Sequence, residues 1–316
     1  MTEGNSIATE LDHWSNHIRQ CAPQGSQYHR LDRRHAAMIT QPAAEARHLI
    51  VSFERIQPLM ESAPQRSPFG WRMREANDWA SLTLFCDGHT WFRSKSVYAY
   101  FDTLIDEAYF DQYDTILFYG AGPCGYAAGA FCVSAPGARV LMVSPQATLD
   151  PQVASWDKRF KKLRRLDFKA RFGYAPDMID GTSHTYIIFD PFSPFDAMHA
   201  ALFPTRLVSK LKARHFPRAA AQSLDHMGIL EDLAEAAMDG ALSQNLFHQM
   251  YRARRQSFLH LSNLVRMSLL RGHLGRAQRV RRFMQPLIDA HFKRSERRAL
   301  SDTQNVAQNS GASEVV

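Results

Sequence analysis

The segment Thr115-Ile-Leu-Phe-Tyr-Gly-Ala-Gly-Pro-Cys-Gly125 constrains the fold more than any other stretch of the chain. β-Forming residues run into a knot of glycine and proline, and Tyr126-Ala-Ala-Gly-Ala-Phe-Cys132 then opens a helix. A strand, a sharp turn and an apolar helix in direct succession make one step of a βα chain. In such chains sites form at the C-terminal ends of the strands.

The flanking sequence repeats the alternation. Strands are expected at His48–Glu54, Ala80–Phe85, Ala138–Ser144, Thr185–Phe189 and Arg206–Leu211. A helical stripe follows the second of these at Val97, Tyr100, Phe101, Leu104 and Ile105. Together they predict an α/β fold with a mainly parallel, doubly wound sheet and helical additions at both ends. Residues 1–45 read as an N-terminal helical extension, with apolar spacing at Ile7, Leu11, Trp14 and Ile18. Residues 46–232 read as the α/β core, 233–298 as a basic helical region and 299–316 as a disordered polar tail. In the basic region, Asn263 to Gly272 followed by Gly275 and Pro286 has the pattern of one helix–turn–helix hairpin. A single hairpin cannot build a solenoid, so it is expected to pack on the core or on a partner.

Charge is unevenly placed. From Arg252 to Arg298 there are 13 Lys or Arg against 2 Asp or Glu, a balance of +11 against +7 for the whole chain, so the remainder is acidic overall. A protein partner is the expectation for these basic helices. Nucleic acid is not expected, since neither a DNA-binding motif nor a row of stacking aromatics accompanies the charge. No apolar run reaches the length of a membrane span, and Met1-Thr-Glu-Gly-Asn-Ser6 lacks the basic and apolar parts of a signal peptide. Cys21, Cys86, Cys124 and Cys132 show no CxxC spacing, and no Cys/His cluster has ligand spacing. A cytoplasmic protein with reduced thiols, no metal and no cofactor is expected.

The block from His48 to Leu230 resembles the α/β-hydrolase superfamily. It is most similar to a bacterial branch in which a Gly-x-Ser-x-Gly elbow runs on into Gly-Tyr-Ala-Ala and the next strand ends in Ser-Pro-Gln. Here Gly125-Tyr-Ala-Ala128 and Ser144-Pro-Gln146 match. In that elbow the serine nucleophile sits on a strained strand-to-helix turn. Counted from the strand end at Tyr119, Gly120 takes the first glycine position, Gly122 the nucleophile position and Cys124 the last small position. Gly122 has no side chain to attack with. One oxyanion donor of the elbow is the N–H that follows the nucleophile, and Pro123 has none. Losing one such donor costs ~100- to 1000-fold in rate.

The chain further resembles a group of alphaproteobacterial proteins that share Phe118-Tyr-Gly-Ala-Gly-Pro-Cys-Gly-Tyr-Ala-Ala128, Pro145-Gln-Ala-Thr-Leu-Asp-Pro151 and Tyr174-Ala-Pro-Asp-Met178. Members of that group often carry the name phosphoadenosine phosphosulfate reductase. The residues give this activity no support. Such reductases have a Ser-Gly-Gly-Lys-Asp type loop and a catalytic cysteine near the C-terminus, whereas here no such loop occurs and no cysteine follows Cys132.

The main expectation is therefore a non-catalytic, hydrolase-like protein that binds a small anionic ligand or a protein partner. Gly120, Gly122, Gly125 and Tyr126 would form the ligand site around a helix start, where free N–H groups hold anions. Lys161, Arg164 and Arg165, from the basic stretch Lys158–Arg171, would add positive charge. The alternative is a cysteine-dependent hydrolase or acyltransferase using Cys124, whose thiolate a helix N-terminus favours. Asp190, after one strand end, would be its acid, and His215, after the last strand, its base; His226 is a second candidate for the base.

Overall fold

The computed structural model describes residues 10–42, 45–61, 67–217 and 219–288. Among them, apolar and β-branched runs become eight strands: β1 (Gln27–Arg30), β2 (His35–Thr40), β3 (His48–Arg55), β4 (Ala80–Cys86), β5 (Thr115–Ala121), β6 (Arg139–Val143), β7 (His184–Phe189) and β8 (Val208–Lys212). They form one sheet in the order β1-β2-β4-β3-β5-β6-β7-β8. β1 with β2 and β2 with β4 are antiparallel, and every later pairing is parallel. This is the mainly parallel α/β sheet that the strand and helix alternation predicts, in the α/β-hydrolase-like arrangement that the resemblance implies.

The helices are α1 (Glu10–Cys21), α2 (Ile56–Met60), α3 (Phe69–Asn77), α4 (Lys95–Asp106), α5 (Pro123–Phe131), α6 (Pro151–Ala154), α7 (Ala175–Met178), α8 (Pro194–Leu202), α9 (Ala220–His226), α10 (Leu230–Met238), α11 (Gln244–Met250) and α12 (Phe258–Leu270). A further helix covers 274–288. On one face of the sheet α4 and α5 bring Phe101 and Phe131 into a stack at 4.6 Å over Phe53 and Phe118. On the other face α3, α9, α10 and α11 bury Met73, Leu224, Leu233 and Phe247 against Leu117, Leu141 and Ile188. Both faces of the central strands are therefore dry, which is why those strands read as continuous apolar runs.

Several elements differ from the sequence reading. Only a helix is expected before residue 45, but residues 27–40 hold the β1–β2 hairpin, which extends the sheet. All six residues of β2 are buried, with Met38 packed beneath Leu11, Trp14 and Ile18 of α1, so no in–out alternation marks it as a strand. Ile7 lies outside the described residues, as does the expected tail 299–316. Around the start of the basic region the chain forms two helices, α9 and α10, divided at Gly228, whose φ is 68°. The basic stretch Lys158–Arg171 is a series of turns around a short 3-10 helix at Lys161–Leu163, where Arg164 donates to the carbonyls of Ala154, Ser155 and Asp157.

The C-terminal hairpin closes through Leu261, Val265, Ala277 and Met284. It rests on the core where Asn263 Nδ2 donates to the carbonyl of His215 at 2.9 Å. Among the described residues no helix is long and apolar enough to cross a membrane.

Candidate active site

β5 delivers the chain to Gly122, which turns with φ 56° and ψ −122° before α5 begins at Pro123. A side chain adopts such an angle only under strain, and a strained turn of this kind carries the nucleophile in the superfamily elbow. The turn is closed by the Gly122 N–H donating to the Val143 carbonyl at 2.8 Å and the Tyr126 N–H donating to the Gly122 carbonyl at 3.0 Å. Gly120 is required sterically, since a Cβ there would overlap the carbonyl of Cys124 where helix and strand cross. A Cβ on Gly122 would meet nothing within 4 Å, so the nucleophile position opens onto free space.

Above this turn lies a cavity of about 1030 Å³ at the C-terminal ends of the strands. Gly122, Pro123 and Cys124 form part of its lining. Glu54 and Arg55 enter from the end of β3, Gln146 from after β6, Asp190 from after β7, His215 from after β8, and Arg266 from α12. Asp190 Oδ1 accepts the N–H groups of Phe192 at 2.9 Å and His215 at 3.1 Å, and its Oδ2 accepts that of Phe216 at 3.0 Å. The carboxylate thus grips the backbone of the loop that carries His215. The His215 ring stacks on Phe192 at 4.7 Å, and its buried Nδ1 has no hydrogen-bond partner among the described residues. Burial lowers the His215 pKa below its ordinary 6.5; Asp190 opposes this, and Arg271, Arg276 and Arg214 reinforce it. Burial raises the pKa of Asp190 against the three N–H groups it accepts.

Cys124 belongs to the cavity wall but is only 6% exposed. A hydrogen bond with Cys86 and burial push its thiol pKa well up, against a smaller downward pull from Arg55. Among the described residues no hydrogen bond links it to a histidine. The structure therefore brings Asp190 and His215 together, with Cys124 beside the elbow as a protonated thiol, a poor nucleophile. His226 instead bonds the carbonyl of Gln222 at 2.6 Å on the exposed side of α9.

Of the expected ligand-binding residues Gly122 lines the cavity, whereas Gly120, Gly125, Tyr126, Lys161, Arg164 and Arg165 do not. Gly125 is buried against Pro145. Tyr126 is buried, and its hydroxyl donates to the Phe172 carbonyl. Lys161, Arg164 and Arg165 do not line the cavity, whereas Arg159 and Phe160 of the same stretch do. Arg159 bonds Asp157 at 2.8 Å and Asp196 at 2.6 Å. Asp157 also accepts from His199 Nε2 at 3.0 Å, and His199 Nδ1 accepts the Ala147 N–H at 3.1 Å, so that imidazole is committed to holding the cavity wall.

Sequence reasoning missed Glu54, Arg55 and Asn263. The rule that sites gather at strand C-termini marks the first two once β3 is assigned. The Glu54 carboxyl is raised to about 7 by burial, although it accepts the Phe69 N–H at 2.7 Å and lies near Arg72. Among the described residues, no group of three or more His, Cys, Asp or Glu is placed to hold a metal ion.

No family model matches the chain, and no curated protein matches it. Among solved structures it is similar to Est1E from Butyrivibrio proteoclasticus, with 15% identity, TM-score 0.45, and coverage of 71% of this chain and 100% of that one. It is similar to a Pyrobaculum calidifontis esterase, with 9% identity, TM-score 0.44, and coverage of 75% and 93%. It is also similar to the capsule O-acetyltransferase of Neisseria meningitidis serogroup A, with 11% identity, TM-score 0.41, and coverage of 63% and 91%. The expectation of a non-catalytic binding protein is corrected, since it finds no support in these comparisons, two of which carry the names of an esterase and an O-acetyltransferase. The residue types alone set the missing serine and the missing N–H of Pro123 against the pair Asp190 and His215, and the structure lines one cavity with Gly122, Asp190 and His215.

Proposed function

We propose that this protein transfers acyl groups, as an esterase or an acyltransferase, without a nucleophile of its own. The observation that carries the reading is Gly122, which holds the strained elbow angle beneath open space while His215 lines the same cavity. A water, or the hydroxyl of an acceptor, occupies the space that a serine hydroxyl fills elsewhere in the superfamily. Its oxygen attacks the acyl carbon as its proton passes to the His215 ring. The tetrahedral adduct then collapses, the bond to the leaving group breaks, and the imidazolium returns the proton to the departing oxygen or sulfur. No acyl-enzyme forms. Asp190 is a positioning residue that fixes the His215 loop through three backbone bonds. The lowered pKa supports the role, because it keeps the ring neutral, and so basic, at pH 7.

Hydrolysis of 4-nitrophenyl acetate by purified variants tests this reading. His215→Ala is expected to lower kcat by ~100- to 10,000-fold, the range for a lost general base. Cys124→Ser is expected to leave the rate within about twofold, since a thiol held protonated contributes no attack. The wild-type rate should rise with pH through a midpoint below 6.5 and then level off, as deprotonated His215 accumulates. Turnover lost with Cys124→Ser and kept with His215→Ala would overturn the reading.

A further inference from the structure

Pro123 deprives the elbow of the backbone N–H that would meet a developing oxyanion, so acyl transfer here needs another donor. We infer that the guanidinium of Arg55 supplies it, an inference that rests on the acyl-transfer reading above. β3 and β5 run parallel with Ser52 level with Tyr119. Arg55 lies three residues beyond Ser52 at the end of β3, and Gly122 lies three beyond Tyr119, in the turn just past β5. Arg55 ends β3, and in this fold the second oxyanion donor also comes from the segment after that strand.

The side chain is equipped for the task. Arg55 lines the cavity, and its buried Nε has no hydrogen-bond partner among the described residues. The other arginines on the cavity wall hold carboxylates or an amide, although the Nε of Arg72 likewise has no hydrogen-bond partner among the described residues. Arg72 bonds Asp225 and Glu231, both at 2.8 Å, Arg159 bonds Asp157 and Asp196, and Arg266 bonds Asn263 Oδ1 at 2.9 Å. The charge of Arg55 also reaches the elbow, where it pulls down the pKa of the Cys124 thiol against the larger upward effects. A half-buried donor left unpaired is costly to keep. A guanidinium in a partly dry site repays that cost when negative charge develops on the substrate, and it needs no reorganisation to do so. Its N–H groups would donate to the carbonyl oxygen as that oxygen gains charge, and no bond to Arg55 forms or breaks.

The test uses the full chain and 4-nitrophenyl acetate. Arg55→Met is expected to lower kcat by ~100- to 1000-fold, the loss for one oxyanion donor. KM and the His215 limb of the pH profile should be unchanged, and added guanidinium chloride at millimolar concentration should restore part of the rate. Arg55→Lys, which keeps the charge, should lose less; it decides the matter if the methionine variant fails to fold by circular dichroism. A rise in KM with kcat intact overturns the inference, because Arg55 would then hold an anionic part of the substrate in ground and transition states alike. An unchanged rate also overturns it. Loss at His215 with none at Arg55 removes this inference alone, whereas a wild type without turnover removes the acyl-transfer reading and this inference with it.

Discussion

Gly122 is a residue whose backbone keeps what its side chain has given up. Its angle, 56° and −122°, strains any residue with a Cβ, yet the space beyond it is open. Gly122→Ser should therefore fold, at a cost of about 1–3 kcal/mol for the strained angle. Its hydroxyl would stand where His215 could activate it. The expected outcome is an acyl adduct on residue 122 after mixing with 4-nitrophenyl acetate, detected by peptide mass mapping. An unmodified residue 122 would mean that His215 does not reach the elbow. At this scale the sequence was highly informative. Counting from Tyr119 located Gly122 and Pro123, and chain order pointed to Asp190 and His215. Arg55 stayed hidden, because a lone arginine after a strand carries no motif and its unpaired Nε among the described residues is visible only in three dimensions.

Among the elements, β3 and α3 meet at Glu54. The N–H of Phe69 at the start of α3 donates to Glu54 Oε1, and Ser52 hydroxyl donates to the same oxygen at 3.4 Å. Burial is the largest influence on this carboxyl and raises it from 4.5 to about 7. A carboxyl with a raised folded pKa binds its proton more tightly in the folded state, so stability is highest below 4.5 and falls as pH rises toward 7. Urea unfolding at pH 5 and pH 7.5 should show this fall in the wild type and a smaller one in Glu54→Gln. Equal slopes in both proteins would show that Glu54 does not carry it. Elements were legible where burial is one-sided or chain length suffices, as at β3, β5 and α12. β2 was not legible, because His35-Ala-Ala-Met38 offers no β-branched or aromatic run to mark a strand.

For the whole molecule, the sheet order decides what meets. β3, β5, β6, β7 and β8 lie side by side, so residues as far apart in sequence as Arg55, Gly122, Gln146, Asp190 and His215 share one cavity. No local pattern reports such a convergence, and from the sequence it could be expected only by resemblance to a known fold. The basic C-terminal region takes part as well. Asn263 of α12 donates to the carbonyl of His215, and Arg271 and Arg276 help to lower the pKa of its ring. Part of the charge excess that marks this region in the sequence thus acts on the proposed base.

Acyl transfer in the open space at Gly122, as proposed, proceeds with no covalent intermediate. Rapid mixing with excess 4-nitrophenyl acetate, acid quench and intact-protein mass measurement tests it most directly. The account predicts 4-nitrophenol released without a burst and a protein mass unchanged at every time point. A burst equal to the enzyme concentration, with one acyl group retained on Cys124, would contradict it.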